Sequence, residues 1–443
     1  MITSYSKKHV IGVSLPMMIG LLAQNIVNLS DTVFLGHVGE IELGASAMGG
    51  IYYICLFTIF WGFSTGTQII IGRRNGEKNL NAIGPVMIQG IFFLLLLAAI
   101  VLVLSHFFTG AIMRIMISSD VIWDSTMIFL KWRMLSLIFD AFNVMFRAFF
   151  VGIIKTKILT VGAFVMAITN IILDYLLIFG KFGFPEMGIE GAALASLLST
   201  FASALFYVVY TFFMIDRKQY GFTRIMFVDV RLLRRVLKIS VYMMFQYFVS
   251  WSTYFMFFVV IERQGQHALA IANVIRSIYV VMFIPVNALS ATSNTLVSNI
   301  IGEGKIKEVN PLIYRISRLS VVIMIVCILL ICLFSKEILS LYTNDLSIIN
   351  ESVPSIYVIS VALTIASIAC VFFNSVSGTG NTKSALALEM VVLALYISHI
   401  YIVGAYYKLP VHFCMTAEII YFSGLLIGSV LYLRYANWQK KNI

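Results

Sequence analysis

The sequence has few charged residues for its length. Only 12% of its 443 residues are Asp, Glu, Lys or Arg, whereas 60% are hydrophobic. A soluble domain carries about 25% charged residues, so this composition excludes an ordinary soluble protein and predicts an all-α membrane protein. The formal charge of +11 does not indicate a nucleic-acid partner, because Lys and Arg collect in the cytoplasmic loops of membrane proteins.

Motifs for metals, nucleotides and catalysis are also scarce. The five cysteines lie in apolar runs without metal-binding spacing, and we interpret them as small core residues. The Gly-x-Gly segments at 302–304 and 378–380 lack the lysine of a phosphate-binding loop, which argues against an ATP-driven pump. No HExxH motif occurs and the loops are too short for a catalytic domain. We therefore expect no enzyme activity and no cofactor.

Apolar runs long enough to cross a membrane recur along the chain. A spanning helix needs about 20 residues, and twelve runs qualify: 10–33, 44–69, 84–106, 122–149, 158–180, 190–214, 239–261, 270–298, 314–334, 352–376, 385–407 and 412–433. Of the 31 Lys and Arg residues, 22 fall in alternate connecting segments or at the termini, Arg224 and Lys441 among them. This excess predicts that both termini are cytoplasmic.

The two halves of the chain repeat at one constant offset in residue number, which we call the repeat offset. The pairs that it relates are Gly39 and Gly265, Gly76 and Gly302, Gly152 and Gly378, and Thr156 and Thr382. Such repeats predict a transporter with a central cavity between two six-helix, pseudo-symmetric lobes. We assign residues 1–215 to the N-terminal lobe, 216–238 to a basic cytoplasmic linker and 239–443 to the C-terminal lobe. Residues 231–238 fit either a helix on the lipid surface or a solvated connector.

Two aspartates within the predicted spans are the candidate site. An aspartate at a span centre costs roughly 2.5–3.5 kcal/mol to insert, yet Asp31 and Asp174 both lie in such runs. Asn170 shares a helix face with Asp174. From the positions in their spans, Asp31, Asp174 and Ser196 all lie in the outer half of the membrane. The acids could hold a proton or share a sodium ion with oxygens of Asn170 and Ser196. The alternative is a polar cluster that only holds helices together.

Other polar residues in the spans leave several roles open. Pro16 fits a hinge or a static kink, and Asp140 fits a relay, a partner of Arg147 or an acid facing an inner vestibule. The roles of four further residues stay open: Arg276, Glu389, His399 and Glu418. The 21 Met and 35 Phe residues suit a pliable cavity for apolar cations.

The chain resembles the multidrug and toxic compound extrusion (MATE) family over nearly its whole length. The segments that carry the resemblance are 16–39, 73–77, 147–157, 170–174 and 184–196. The resemblance implies a V-shaped antiporter of two lobes. It is closer to the DinF-like branch, whose ion-responsive site in the N-terminal lobe matches Asp31, Asn170, Asp174 and Ser196 here, with Pro16 and Gln24 as supporting residues. From its place in a span we add Asp140 as a further supporting residue.

The C-terminal lobe departs from the NorM-like branch of that family. The resemblance implies carboxylates in helices seven and ten there, but helix seven offers Gln246 and the helix-ten position is near Ala366. We therefore expect ion coupling in the N-terminal lobe alone, by Asp31 and Asp174.

The predicted function is secondary active efflux of amphipathic, often cationic organic compounds in exchange for protons or sodium ions. The expected partners are a small organic substrate and membrane lipids, and the expected state is a monomer in the bacterial inner membrane. The alternatives are a flippase for a lipid-linked saccharide or other lipid and, from a different class, an intramembrane enzyme. Few basic candidates for a cavity, mainly Arg276, weaken the flippase reading.

Overall fold

A computed structural model of the protein describes residues 6–223, 228–343 and 345–440. The regular structure in these ranges consists of α-helices joined by short 3₁₀ or π turns. The α-helices are α1 (Lys7–Val38), α2 (Glu40–Gly76), α3 (Ile83–Met116), α4 (Asp120–Arg133), α5 (Ser136–Gly152), α6 (Lys157–Ile178), α7 (Gly188–Met214), α8 (Val230–Glu262), α9 (Gln266–Gly302), α10 (Val309–Leu333), α11 (Ser335–Ser340), α12 (Leu346–Gly378), α13 (Thr382–Ile400), α14 (Val411–Cys414) and α15 (Thr416–Tyr435).

The long apolar helices confirm the prediction of an all-α membrane protein. Within the described ranges, eleven helices are long and apolar enough to cross a membrane. The helices α4 and α5 qualify only as a pair, bent by 49°, and raise the number to twelve when counted as one span. Helices suit a bilayer because each satisfies its backbone hydrogen bonds internally.

The repeat extends to the bounds of the helices. The helices α2 and α9 are both 37 residues long, and their first residues are related by the repeat offset. The same offset relates the 3₁₀ turns Leu80–Ala82 and Ile306–Glu308, and it carries the bent pair α4–α5 onto the single helix α12. The repeat is therefore regular in its connections, but the bend occurs in the first half only.

Internal packing divides the chain into two compact units. Unit 1 is Met1–Met18 with Phe245–Ile443, and unit 2 is Ile19–Met244. The boundaries fall inside α1 and α8, at positions that the repeat offset also relates. The lobe and linker bounds predicted from the sequence, 1–215, 216–238 and 239–443, stay a prediction.

The basic linker is packed within unit 2. The backbone N–H of Gly84 at the start of α3 donates to the carbonyl of Tyr220. A Cβ atom on Gly221, which has a φ of +73°, would collide with the carbonyl oxygen of Asn81, so this turn requires glycine. Residues 231–238 form the first turns of α8. Asp229 caps the start of this helix, because its carboxylate accepts hydrogen bonds from two backbone N–H groups. Two of the predicted inner-side basic residues, Arg224 and Lys441, lie outside the described residues.

Candidate functional site

A seam of small residues joins α1 to α6 within unit 2. Ala23 and Val27 of α1 form a buried cluster with Ala163 and Ala167 of α6. A Cβ atom on Gly20 would lie 3.7 Å from the Cβ of Ala163, an ordinary van der Waals contact. Because small side chains let membrane helices approach closely, this seam fixes how the two helices face each other over about two turns.

The acid pair lies directly beyond this seam. Asp31 is one helical turn after Val27, and Asn170 is one turn after Ala167. With its amide oriented to suit its neighbours, Asn170 donates from Nδ2 to Oδ1 of Asp31 at 3.0 Å and to Oδ2 of Asp174 at 3.2 Å. Asn170 and Asp174 are fully buried. The seam therefore sets the register that brings residues from distant parts of the sequence into one cluster.

The two aspartates also contact each other. Their carboxyl groups are close enough to interact directly. An ionised carboxylate only accepts hydrogen bonds, so a hydrogen bond between Asp31 and Asp174 would require a proton on one of them. Removal of that proton would leave two like charges side by side in an apolar setting. The geometry suits one proton held by the pair.

A positive charge lies within electrostatic range of this cluster. Arg133, the last residue of α4, interacts electrostatically with Asp31, Asp174 and Asp140. Its Cζ atom lies 4.1 Å from the centre of the Tyr53 ring, and the Tyr53 hydroxyl donates to Oδ2 of Asp140. The guanidinium therefore offsets part of the negative charge of three aspartates.

The bend between α4 and α5 is fastened to α7 on both sides. The indole N–H of Trp132, next to Arg133, donates to Oε1 of Glu190 at 2.7 Å. Beyond the bend, the amide of Asn143 donates to the carbonyl of Thr200 at 3.0 Å. These hydrogen bonds hold Arg133 at a fixed place next to the bend.

The sequence pattern alone did not single out Arg133 or Tyr53. A signal for Arg133 was present, since an arginine inside the predicted span 122–149 requires a partner or a water-filled cavity. The proposed partnership of Asp140 with Arg147 differs from the contacts in the structure. The Cζ atom of Arg147 lies 3.9 Å from the centre of the Trp61 ring, and the hydrogen bond to Asp140 comes from Tyr53.

Three other predicted residues lie apart from this set of contacts. Ser196 is buried on α7, where its backbone carbonyl accepts from the hydroxyls of Ser199 and Thr200; the hydrogen bonds of the described residues include none from its own hydroxyl to the acids. Gln24 is exposed on α1, two turns before the acid of that helix. Pro16 lies inside α1, in the part that belongs to unit 1. The roles of these three residues stay predictions.

The donor set offers groups for a proton and oxygens for a cation. In the part of the chain that the structure describes, no three His, Cys, Asp or Glu residues are grouped to hold a metal. A sodium ion at Asp31 and Asp174 would need further oxygen ligands, such as those of Asn170 and Ser196. The Asn170 amide can turn either its oxygen or its nitrogen to the acids, and only the nitrogen donates hydrogen bonds to them.

One segment of α2 has the spacing of a hydrolase nucleophile motif. Residues 62–66 read Gly-Phe-Ser-Thr-Gly, whereas the motif needs a strand-to-helix turn with a base nearby. Here Ser64 is fully buried in a helix and donates to the carbonyl of Trp61 at 2.9 Å. A Cβ atom on Gly66 would lie 2.5 Å from the Cα of Ser240. The segment is a close contact between helices and not a catalytic site.

Curated relatives match the chain over much of its length. The probable multidrug resistance protein NorM of Thermotoga maritima is 23% identical over 99% of this chain and 94% of its own length. The probable multidrug resistance protein YoeA of Bacillus subtilis is 24% identical over 74% of this chain and 72% of its own length.

Solved structures and a family model give the same assignment. An outward-facing multidrug resistance MATE family transporter superposes with a TM-score of 0.89 at 18% identity, covering 98% of this chain and 97% of its own. A eukaryotic MATE transporter gives a TM-score of 0.87 at 16% identity, covering 98% and 96%. These likenesses establish the two-lobed fold. The MatE family model matches residues 16–176 and 243–402, one stretch in each half, and the protein therefore belongs to the MatE family, a family of membrane transporters rather than enzymes.

Proposed function

We propose that the protein is a secondary active antiporter that exports amphipathic, often cationic organic compounds in exchange for protons. Membership of the MatE family supports transport, and the relatives named as probable multidrug resistance proteins support efflux of xenobiotic compounds. The long apolar helices support action within a membrane.

The cluster of Asp31, Asn170 and Asp174 is the single observation that carries the proton coupling. Asp174 is fully buried in a span and contacts the carboxyl group of Asp31. Two ionised carboxylates side by side, one of them fully buried, repel each other at a high cost, so such a pair neutralises by taking up a proton. If the two aspartates can lie together only when one of them carries a proton, then proton binding can drive a change in the conformation of the protein.

The small number of oxygen ligands at the acid pair supports protons rather than sodium ions as the coupling ion. The positive charge of Arg133 opposes the binding of either cation, whereas a sodium ion also needs several oxygen ligands. A proton forms a covalent O–H bond with a carboxyl oxygen and needs no such shell.

Proton binding drives export if the two states of the cycle differ in their affinity for protons and substrate. In the proposed cycle, the protonated pair stabilises the state in which Asp31 on α1 and Asp174 on α6 lie together, and substrate leaves. When the proton is lost to the cytoplasm, both carboxylates are ionised and repel each other, so Asp31 and Asp174 move apart. This second state accepts the next substrate. Ser196 is the proposed fourth ion-coupling residue, and Pro16, Gln24 and Asp140 are the proposed supporting residues.

The proposed location is the bacterial inner membrane, with both termini in the cytoplasm. The excess of Lys and Arg in alternate loops supports this orientation, and the bacterial relatives support the type of membrane. We propose that one chain acts alone, because the acid cluster is complete within unit 2.

The test uses purified protein in liposomes with an imposed pH gradient and ethidium as the transported probe. The wild type should move ethidium against its gradient, and Asp31→Asn and Asp174→Asn should each reduce this transport to the level of empty liposomes. The matched control is Asp124→Asn, which changes an exposed aspartate of α4 and should leave transport unchanged. Full pH-driven transport by both site variants would contradict the site assignment.

A further inference from the structure

Unit 1 contains a buried acid that the sequence pattern left without a role. Glu389 of α13 is 2% exposed. Its Oε1 atom accepts hydrogen bonds from the hydroxyls of Ser250 on α8, at 2.6 Å, and Tyr421 on α15, at 2.7 Å. Three helices therefore converge on one carboxyl group.

Two acceptor atoms beside this carboxyl group have no donor. Oε2 of Glu389 and Oε1 of Gln246 are both enclosed, and neither has a hydrogen-bond partner among the described residues. Gln246 is 6% exposed and faces the carboxyl group of Glu389. A buried acceptor without a donor loses its hydration without compensation. A proton on Oε2 of Glu389 would supply the missing donor to this pair.

The described residues around Glu389 bring no opposite charge to it. The groups that face it are Ser250 and Gln246 from α8, Cys370 from α12 and Tyr421 from α15. The ion pairs found within the described ranges do not include Glu389. A buried carboxylate without an opposite charge is costly even when hydroxyl groups donate to it, so this arrangement suits a protonated acid.

A second acid links this buried site to a cavity. Glu418 of α15 lines a cavity together with Arg276 and Tyr254. Its carboxyl oxygens accept from the hydroxyls of Tyr396, at 3.0 Å, and Tyr279, at 3.4 Å.

Tyrosine rings connect the two acids. Tyr396, which donates to Glu418, packs edge-on against Tyr421, which donates to Glu389, with ring centres 5.8 Å apart. Cys370 lies within electrostatic range of both acids. The two carboxyl groups thus belong to one group of packed tyrosines, and the step between them is a contact of rings rather than a hydrogen bond.

The repeat indicates that this network is not a copy of the site in unit 2. The repeat offset carries Tyr53, which donates to Asp140, onto Tyr279, which donates to Glu418. The acids themselves have no such counterpart, since Glu389 falls on Ala163. The two halves therefore have a tyrosine at equivalent positions, but the acid that accepts its hydrogen bond comes from a different helix in each half.

We propose that Glu389 is a second proton-binding site, in unit 1, and that it exchanges protons with the cavity through Glu418. The proposal rests on proton-coupled transport as proposed above, and it raises the number of protons moved in a cycle from one to two. The ligand is a proton, because the orphaned acceptors need a hydrogen-bond donor and not a ligand shell.

Infrared titration of the purified, full-length protein tests the proposal without a substrate. A protonated carboxyl group in an apolar site gives a C=O stretching band that an ionised carboxylate lacks. The wild type should show such a band that disappears as the pH rises, and Glu389→Gln should remove it. Glu389→Asp should move the band and keep its titration, which covers the case in which the Gln variant does not fold. The exposed Glu337 provides the control Glu337→Gln, which should leave the band in place.

Two results would overturn the proposal. One is a Glu389 band that persists at all pH values, which would mark a permanently protonated structural acid. The other is the absence of any band removed by Glu389→Gln, which would mark an acid that never holds a proton.

A transport measurement separates this proposal from the proposed function. With the membrane potential held at zero, each coupled proton multiplies the limiting ratio of ethidium concentrations across the membrane by about ten for every pH unit of the gradient. The wild type should therefore reach about 100-fold and Glu389→Gln about tenfold at one pH unit. A wild type limited to about tenfold, with no change in the variant, would reject the second site alone. No pH-driven transport by the wild type would reject the proposed function instead, and the infrared result would still decide the role of Glu389.

Discussion

At the scale of single residues, Arg133 distinguishes this site from a simple pair of acids. Its guanidinium lies within electrostatic range of Asp31, Asp174 and Asp140, over the ring of Tyr53. This positive charge stabilises the ionised carboxylates and therefore opposes the binding of any cation to them, a proton included. We therefore infer that Arg133 keeps the proton affinity of the acid pair low enough for the proton to be released again in each cycle.

Removal of this charge should make the site bind protons more tightly. A nearby unit charge is worth about 1 kcal/mol or more, or about fivefold in binding, so the pH dependence of ethidium transport by Arg133→Gln should lie about 0.7 pH unit or more above that of the wild type. The measurement is the transport rate over a series of pH values with the same pH gradient imposed at each. Arg133→Lys keeps the charge and should behave as the wild type. The same pH dependence in all three proteins would exclude this role.

At the scale of helices, the contact between α1 and α6 decides whether the acids meet. Ala163 and Ala167 leave room for α1, and Asp31 and Asn170 each follow one turn after the seam on their helices. A larger side chain in this seam would keep the helices apart without touching the acids themselves. Coupling should therefore depend on the size of these residues as well as on the carboxyl groups.

Ala167→Leu should impair coupling by overpacking the seam. Such a change costs about 1–3 kcal/mol in a well-packed interior, and the separation of Asp31 from Asn170 and Asp174 should abolish pH-driven ethidium transport. The measurement combines transport with the thermal melting temperature of the detergent-purified protein. Gly20→Ala is the matched control, since its new Cβ atom would have only ordinary contacts. A fully active Ala167→Leu protein would show that the seam does not govern the site.

The helices show what the sequence could and could not predict. Long apolar runs predicted the spans, and the repeat was visible in the glycines of the loops. The break between α4 and α5 was not predictable, because residues 133–136 read Arg-Met-Leu-Ser without the proline or glycine that usually marks a kink. Its counterpart in the repeat, within α12, is continuous. The break therefore reflects packing against α7, which a local sequence pattern does not contain.

At the scale of the whole molecule, a regular repeat carries two different sets of acids. The repeat offset holds for helix lengths, turns and unit boundaries, but it places Asp31 and Asp174 on Phe257 and Ile400. The acids of unit 2 could be located from the sequence because they stand out in apolar runs. Their partners, Arg133 and Tyr53, depend on tertiary contacts that span spacing cannot reveal. The assignment to the DinF-like branch stays a prediction.

Proton binding in unit 2 drives export in the proposed cycle. The most direct measurement is ethidium transport by the reconstituted wild type under a pH gradient alone and under a sodium gradient alone, with the membrane potential held at zero. We expect transport under the pH gradient in the complete absence of sodium, and none under the sodium gradient. Transport under the sodium gradient alone, with none under the pH gradient, would contradict proton coupling.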